Sequence, residues 1–222
     1  MKINILCLYY DLMNLYGDTG NLKIIKHHLD KLKIDYTTDY LSIDDEINFS
    51  KYDLVLIGSG TEDNRFICLN HLLKYKKDIE KAISNNKFFL ITGNALAMFG
   101  KKIYDTKALE IFDLSVSKAN ARNSKEVVIP YETSSIYGMI NTFDVITNND
   151  NYLFDETGIL KNNFYGTYVI GPVLGRNPSF LKDFLEKLLD KTNINIDLSL
   201  ESKAYNEFIE FKKTKVFNSK KA

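Results

Sequence analysis

The sequence predicts an α/β fold: a parallel, flavodoxin-like sheet with helices on both faces. Three observations carry this. Short apolar runs recur at residues 3–9, 53–57 and 87–92. The second and third end directly in glycine turns, Gly58-Ser59-Gly60 and Gly93. Helical periodicity of about 3.6 follows each run, and strand, turn, helix in repetition is the pattern of a sheet wrapped by helices.

The elements follow in order. Residues 3–9 read as a buried strand, and Asp18 to Gly20 as a turn. A helix is expected over about 21–33, with Leu22, Ile25, Leu29 and Leu32 on one face, and a second strand near 34–41. Asp53 to Ile57 forms the next strand, a single helix spans about 63–85, and Lys87 to Thr92 forms another strand that opens at Gly93 into a short helix through Gly100. The second half is more β-like, with strands near 110–117, 125–131, 142–148 and 163–170. Pro178 opens a helix with Phe180, Leu181, Phe184, Leu185 and Leu188 as its apolar face. A charged helical tail over 201–222 frays from Asn218. With no repeat and no linker, residues 1–200 form one domain and 201–222 its tail.

Composition narrows the function. The chain has 222 residues, 45% hydrophobic, and 29 basic residues balance 29 acidic ones. That balance gives no electrostatic pull toward nucleic acid or an anionic membrane. No run approaches the roughly 18–20 apolar residues of a membrane span. Cys7 and Cys68 lack metal-ligand spacing, so a reducing cytoplasm, no metal and no cofactor are the expectation.

Four segments, in order over about residues 1–190, resemble the glutaminase subunit of lipid II isoglutaminyl synthase, a class I glutamine amidotransferase of the cobyric-acid-synthase-like type. They are Leu12 to Asn21, Ile57 to Asp63, Ile91 to Lys102, and Gly166 to Leu174 followed by Arg176-Asn177-Pro178. The resemblance implies the class I amidotransferase fold, cytoplasmic work on peptidoglycan precursors, and a Mur-ligase-like synthetase partner.

The chemistry of such a glutaminase needs a cysteine thiolate on a strand-to-helix turn, a histidine base and backbone amides facing the oxyanion. The resemblance places Gly93 at the nucleophile position and Ile170 at the histidine position, so neither reactive group is present. Gly58, Ser59, Gly60, Thr92 and Asn94 would form the oxyanion loop and pocket, and Arg122, read as lying on a strand-connecting loop, corresponds to a substrate-binding arginine. The chain then reads as a pseudoenzyme subunit. The alternatives are a diverged enzyme or small-molecule-binding protein that uses the vacated pocket around Thr92, Asn94 and Arg122, and a structural homodimer.

Other residues have blander readings. Cys68 and His71, three apart on a helix, could meet on one face, but a buried thiol beside a surface histidine serves as well. Cys7 is core. Asp11, Asn14, Tyr16 and Asp18 form a polar loop that suits either a ligand or plain turn chemistry. Glu62 and Asp63 favour the positive end of the following helix.

Overall fold

The computed structural model describes residues 1–148 and 158–219. The chain runs β1 (Lys2–Leu8), α1 (Thr19–Lys31), β2 (Asp35–Leu41), β3 (Leu54–Ile57), α2 (Glu62–Leu72), α3 (Lys76–Ser84), β4 (Phe88–Thr92), β5 (Lys102–Ile103) and β6 (Thr106–Lys107). It continues through β7 (Ser115–Tyr131), β8 (Ser134–Asn148), β9 (Gly158–Lys161), β10 (Phe164–Thr167), α4 (Val173–Arg176), α5 (Pro178–Leu188) and α6 (Ser199–Ser219).

Six strands form the main sheet in the order β2-β1-β3-β4-β10-β9, all parallel except β9, which runs against β10. This is the doubly wound, flavodoxin-like order, whose strand direction of travel reverses between β1 and β3. The central strands β3 and β4 are buried at every residue, because both faces of the sheet are covered. Val55, Ile57, Phe89 and Ile91 pack with Cys68, Leu69, Leu72 and Ile79 of α2 and α3. Leu54, Leu56, Phe88 and Leu90 pack on the other face with Leu22, Ile25 and Leu29 of α1 and Phe180, Leu181 and Phe184 of α5. Strand alternation thus sorts neighbouring residues into two cores.

Several expected elements are redrawn. The single helix over 63–85 is broken by a 3-10 turn at Leu73–Tyr75. The break lets Tyr75 lay its ring edge-on to His71 and Phe49 while both helices keep their apolar faces on the sheet. The expected helix after Gly93 is a 3-10 segment, Gly93–Phe99. The strand expected over 110–117 begins only at Ser115. The amides of Leu109, Glu110, Ile111 and Phe112 instead donate to the carbonyls of Met98, Gly100 and Phe99, closing the end of that 3-10 segment. The strands expected at 125–131 and 142–148 belong to one long hairpin, β7–β8, which joins β5 and β6 in a second sheet of order β6-β5-β7-β8.

The tail is helical as expected, and the end of its predicted fray, residues 220–222, falls outside the described residues. No helix among the described residues is long and apolar enough to cross a membrane.

Candidate functional site

The two glycine turns and the loop after β1 meet at the carboxyl ends of β1, β3 and β4, where ligand sites of this sheet type lie. Asp18 organises the meeting. It stands at the start of α1 but does not cap that helix. Asn14 Oδ1 accepts from the Thr19 amide instead, at 2.9 Å. The Asp18 carboxylate is 6% exposed and accepts from the Ser59 amide at 3.0 Å and the Thr92 hydroxyl at 2.6 Å. Burial lifts its pKa above the usual aspartate range; hydrogen bonds from Thr92 and from the amides of Ser59, Gly171 and Tyr16 offset this only in part.

The Gly58-Ser59-Gly60 loop can approach this closely because two of its residues lack side chains. A Cβ on Gly58 would stand 2.4 Å from the Met13 carbonyl, and one on Gly60 2.4 Å from Met13 Sδ. Asn94 clamps the loop from the other side. Its Oδ1 accepts from the Gly60 amide at 3.1 Å and the Ser59 hydroxyl at 3.3 Å, while its Nδ2 donates to the Gly60 carbonyl at 2.8 Å. The Ser59 carbonyl accepts from the Leu15 amide at 2.8 Å. Both loop amides that could face an oxyanion, those of Ser59 and Gly60, therefore already donate within the protein.

Gly93 has φ +62, a left-handed backbone that suits glycine. It sits where β4 turns into the 3-10 segment, the kind of sharp turn that presents a nucleophile in hydrolases. A Cβ here would stand 2.4 Å from Ser59 Oγ, 2.5 Å from Ser59 Cβ and 3.3 Å from Ile170 Cγ2. Ser59 and Ile170 thus fill the space into which a side chain at 93 would project. Ile170 is held by an isolated antiparallel bridge to Met139 of β8, its amide donating to the Met139 carbonyl at 2.9 Å. The cavity beside Asp18 and Thr92 measures about 10 Å³, room for at most one water.

Six of the residues singled out from the sequence come together here: Gly58, Ser59, Gly60, Thr92, Gly93 and Asn94, with Ile170 against them. Arg122 does not join them, and its placement corrects the expectation. It lies within β7 rather than on a loop between strands. Lys118 pairs with Asp144 and Asn123 with Thr142, so residues 119–122 bulge opposite Phe143 alone. The bulge aims the Arg122 guanidinium at Glu62, with 3.0 Å between Nη2 and Oε1, and lays it 4.4 Å from the Phe143 ring centroid. Glu62 and Asp63 do lie in the first turn of α2, which Thr61 caps.

Cys68 and His71 both lie on α2, and the histidine is buried rather than at the surface. Its Nδ1 lies 2.9 Å from the Tyr9 hydroxyl, and burial pulls its pKa down. Burial pushes the Cys68 thiol up to about 12 and the Cys7 thiol up to about 11, so neither is a thiolate near neutral pH. No group of three or more His, Cys, Asp or Glu able to hold a metal occurs among the described residues.

Sequence reasoning missed a second polar cluster. Arg65, fully buried on α2, pairs with Asp144 of β8, whose carboxylate also accepts from Tyr104 at 2.7 Å and Tyr168 at 2.8 Å. The available signal was spacing, because Arg65 shares a helix face with Cys68, Leu69 and Leu72.

No family model matches the chain. Two curated proteins are similar to it, both described as the glutamine-hydrolysing lipid II isoglutaminyl synthase, subunit GatD. The protein from Streptococcus pneumoniae is 27% identical, covering 86% of this chain and 82% of its own length. The one from Staphylococcus aureus is 26% identical, covering 83% of each. A solved glutamine amidotransferase structure superposes with a TM-score of 0.55 at 14% identity, over 82% of this chain and 98% of its own. In sequence this chain is therefore similar, along most of its length, to the glutaminase subunits of lipid II isoglutaminyl synthase, and it shares the fold of a glutamine amidotransferase.

Proposed function

We propose that this chain is a glutamine amidotransferase-like subunit without glutaminase activity, which works with a Mur-ligase-like synthetase in amidating a cell-wall precursor in the cytoplasm. Residues 1–200 form the amidotransferase-like unit and 201–222 its tail. The kinship with subunits of lipid II isoglutaminyl synthase supports the cell-wall role and the partner. The observation that carries the loss of activity is the packing at Gly93. A thiol there would collide with Ser59, no base stands at Ile170, and the Ser59 and Gly60 amides are engaged by Asp18 and Asn94. Nucleophile, base and oxyanion donors are the three requirements of the reaction; the first two are missing and the third is engaged within the protein.

Rewired chemistry by nearby residues has less to support it. The Thr92 hydroxyl is committed to Asp18, both ends of the Asn94 amide to the loop, and Arg122 to Glu62.

Ammonia release from glutamine by the purified chain, alone and with a candidate synthetase, tests the reading. Background rates in both conditions are expected. A rate well above background that survives Cys68→Ala would overturn it.

A further inference from the structure

The tail helix crosses the body without closing onto it. Glu201 approaches His28 of α1 at 3.3 Å, the Tyr205 hydroxyl donates to the Ser135 carbonyl at 3.0 Å, and Lys212 pairs with Glu126 of β7. Between these anchors, α6 and β8 leave a groove of about 480 Å³ that ends at Gly175 and Arg176 of α4. That volume falls within the roughly 300–1,000 Å³ of small-molecule sites.

The lining is aromatic and fixed. The Tyr137 ring lies edge-on to Tyr205 at 5.8 Å and to Phe208 at 5.7 Å, and Met139 stands beside them. Such rings offer faces to a flat apolar group. The charged groups differ in what they already hold. Glu126 is taken by Lys212 and Glu201 faces His28, whereas Arg176 has no ion-pair partner among the described residues. Its guanidinium lies over the Gly171 turn, with Nη2 3.4 Å from where a Cβ on Gly171 would stand.

From the groove's size, its aromatic walls and its one uncommitted cation, we infer that it binds a small aromatic carboxylate, its ring laid on the groove-facing side of the Tyr137, Tyr205 and Phe208 cluster and its carboxylate toward Arg176. A groove this small suits such a molecule better than a protein, which would need roughly 800 Å² of surface on each partner. The inference does not depend on the loss of glutaminase activity: of the groove's residues only Met139 reaches toward Gly93, through its backbone bridge to Ile170, and neither Arg176 nor Ala204 is among the atoms nearest a Cβ at Gly93.

The test is titration of the full chain with naphthoate and with neutral naphthamide, followed by calorimetry. Saturable one-to-one binding of naphthoate is expected, with naphthamide about tenfold weaker, the scale of one charge-assisted contact. Arg176→Gln, at an exposed position, should bring naphthoate down to the amide's affinity. Ala204→Trp, also exposed, should plug the groove and abolish binding of both. Equal affinity for acid and amide, naphthoate binding that persists in Ala204→Trp, or no saturable binding of naphthoate to the unaltered chain would each overturn the inference.

Discussion

Asp18 and Asp144 are both buried carboxylates that join distant segments, yet they are held in opposite ways. Asp18 gathers the ends of β1, β3 and β4 through amides and a hydroxyl, all neutral donors. Asp144 fastens the β7–β8 hairpin to α2 through a buried guanidinium and two phenols. A carboxylate held by neutral dipoles keeps much of its desolvation penalty, which is why burial dominates at Asp18. One held by a cation has its charge balanced, and each partner then depends on the other staying in place. The first arrangement shapes a loop; the second holds two structural layers together.

The largest expected effect comes from breaking the charged cluster. Arg65→Met leaves Asp144 buried without its cation and should destabilise the fold by about 3–5 kcal/mol in chemical denaturation. Adding Asp144→Asn should restore part of that loss; a double variant as unstable as the single one would mean that packing, not charge, sets the effect.

Next comes the neutral loop. Gly93→Ala combines left-handed strain with a Cβ driven into Ser59, and should destabilise by about 2–4 kcal/mol. Ser59→Gly in the same chain should recover about 1 kcal/mol or more by clearing the collision, which a double-mutant cycle reads directly.

A pH series sharpens the contrast. The Asp18 pKa is raised in the folded state, so its contribution is most favourable below the ordinary aspartate value and is lost as pH rises through the folded value. The stability of the natural chain relative to Asp18→Asn should therefore improve as pH falls from 7 toward about 4. A difference that stays flat over this range would argue that Asp18 is solvated in solution.

The smallest effect belongs to the exposed pair. Arg122→Ala, which removes the contact with Glu62, should change stability by less than about 1 kcal/mol.

Much of this architecture was legible in the residues. The runs at 53–57 and 87–92 became β3 and β4 because full burial on both faces leaves an unbroken apolar signature, and the run at 3–9 became β1, buried from Ile5 to Leu8. The glycines of the 58–60 loop and Gly93 marked close approaches that the packing explains. The hairpin was harder to read. Residues 117–126 of β7 are mostly exposed and polar, so they carry no strand periodicity, and their pairing with β8 is set by backbone ladders and a bulge. The roles of Asp18 and Asp144 were hidden for another reason. Each depends on partners far along the chain, Thr92 being 74 residues from Asp18 and Arg65 79 residues from Asp144, and a single sequence does not announce such pairings.

The position of β10 in the sheet has a consequence for how the chain is made. β4 sits between β3 and β10, yet Phe164–Thr167 follows Phe88–Thr92 only after the whole β5–β9 region. At a synthesis rate of about 5–20 residues per second, roughly 4–14 s pass between the two strands emerging from a ribosome. Throughout that interval the apolar edge of β4 has one neighbour and lacks the other. Such an edge is a template for pairing with another nascent chain, so anything that slows translation between β4 and β10 should lower the soluble yield more than the same delay placed after Thr167.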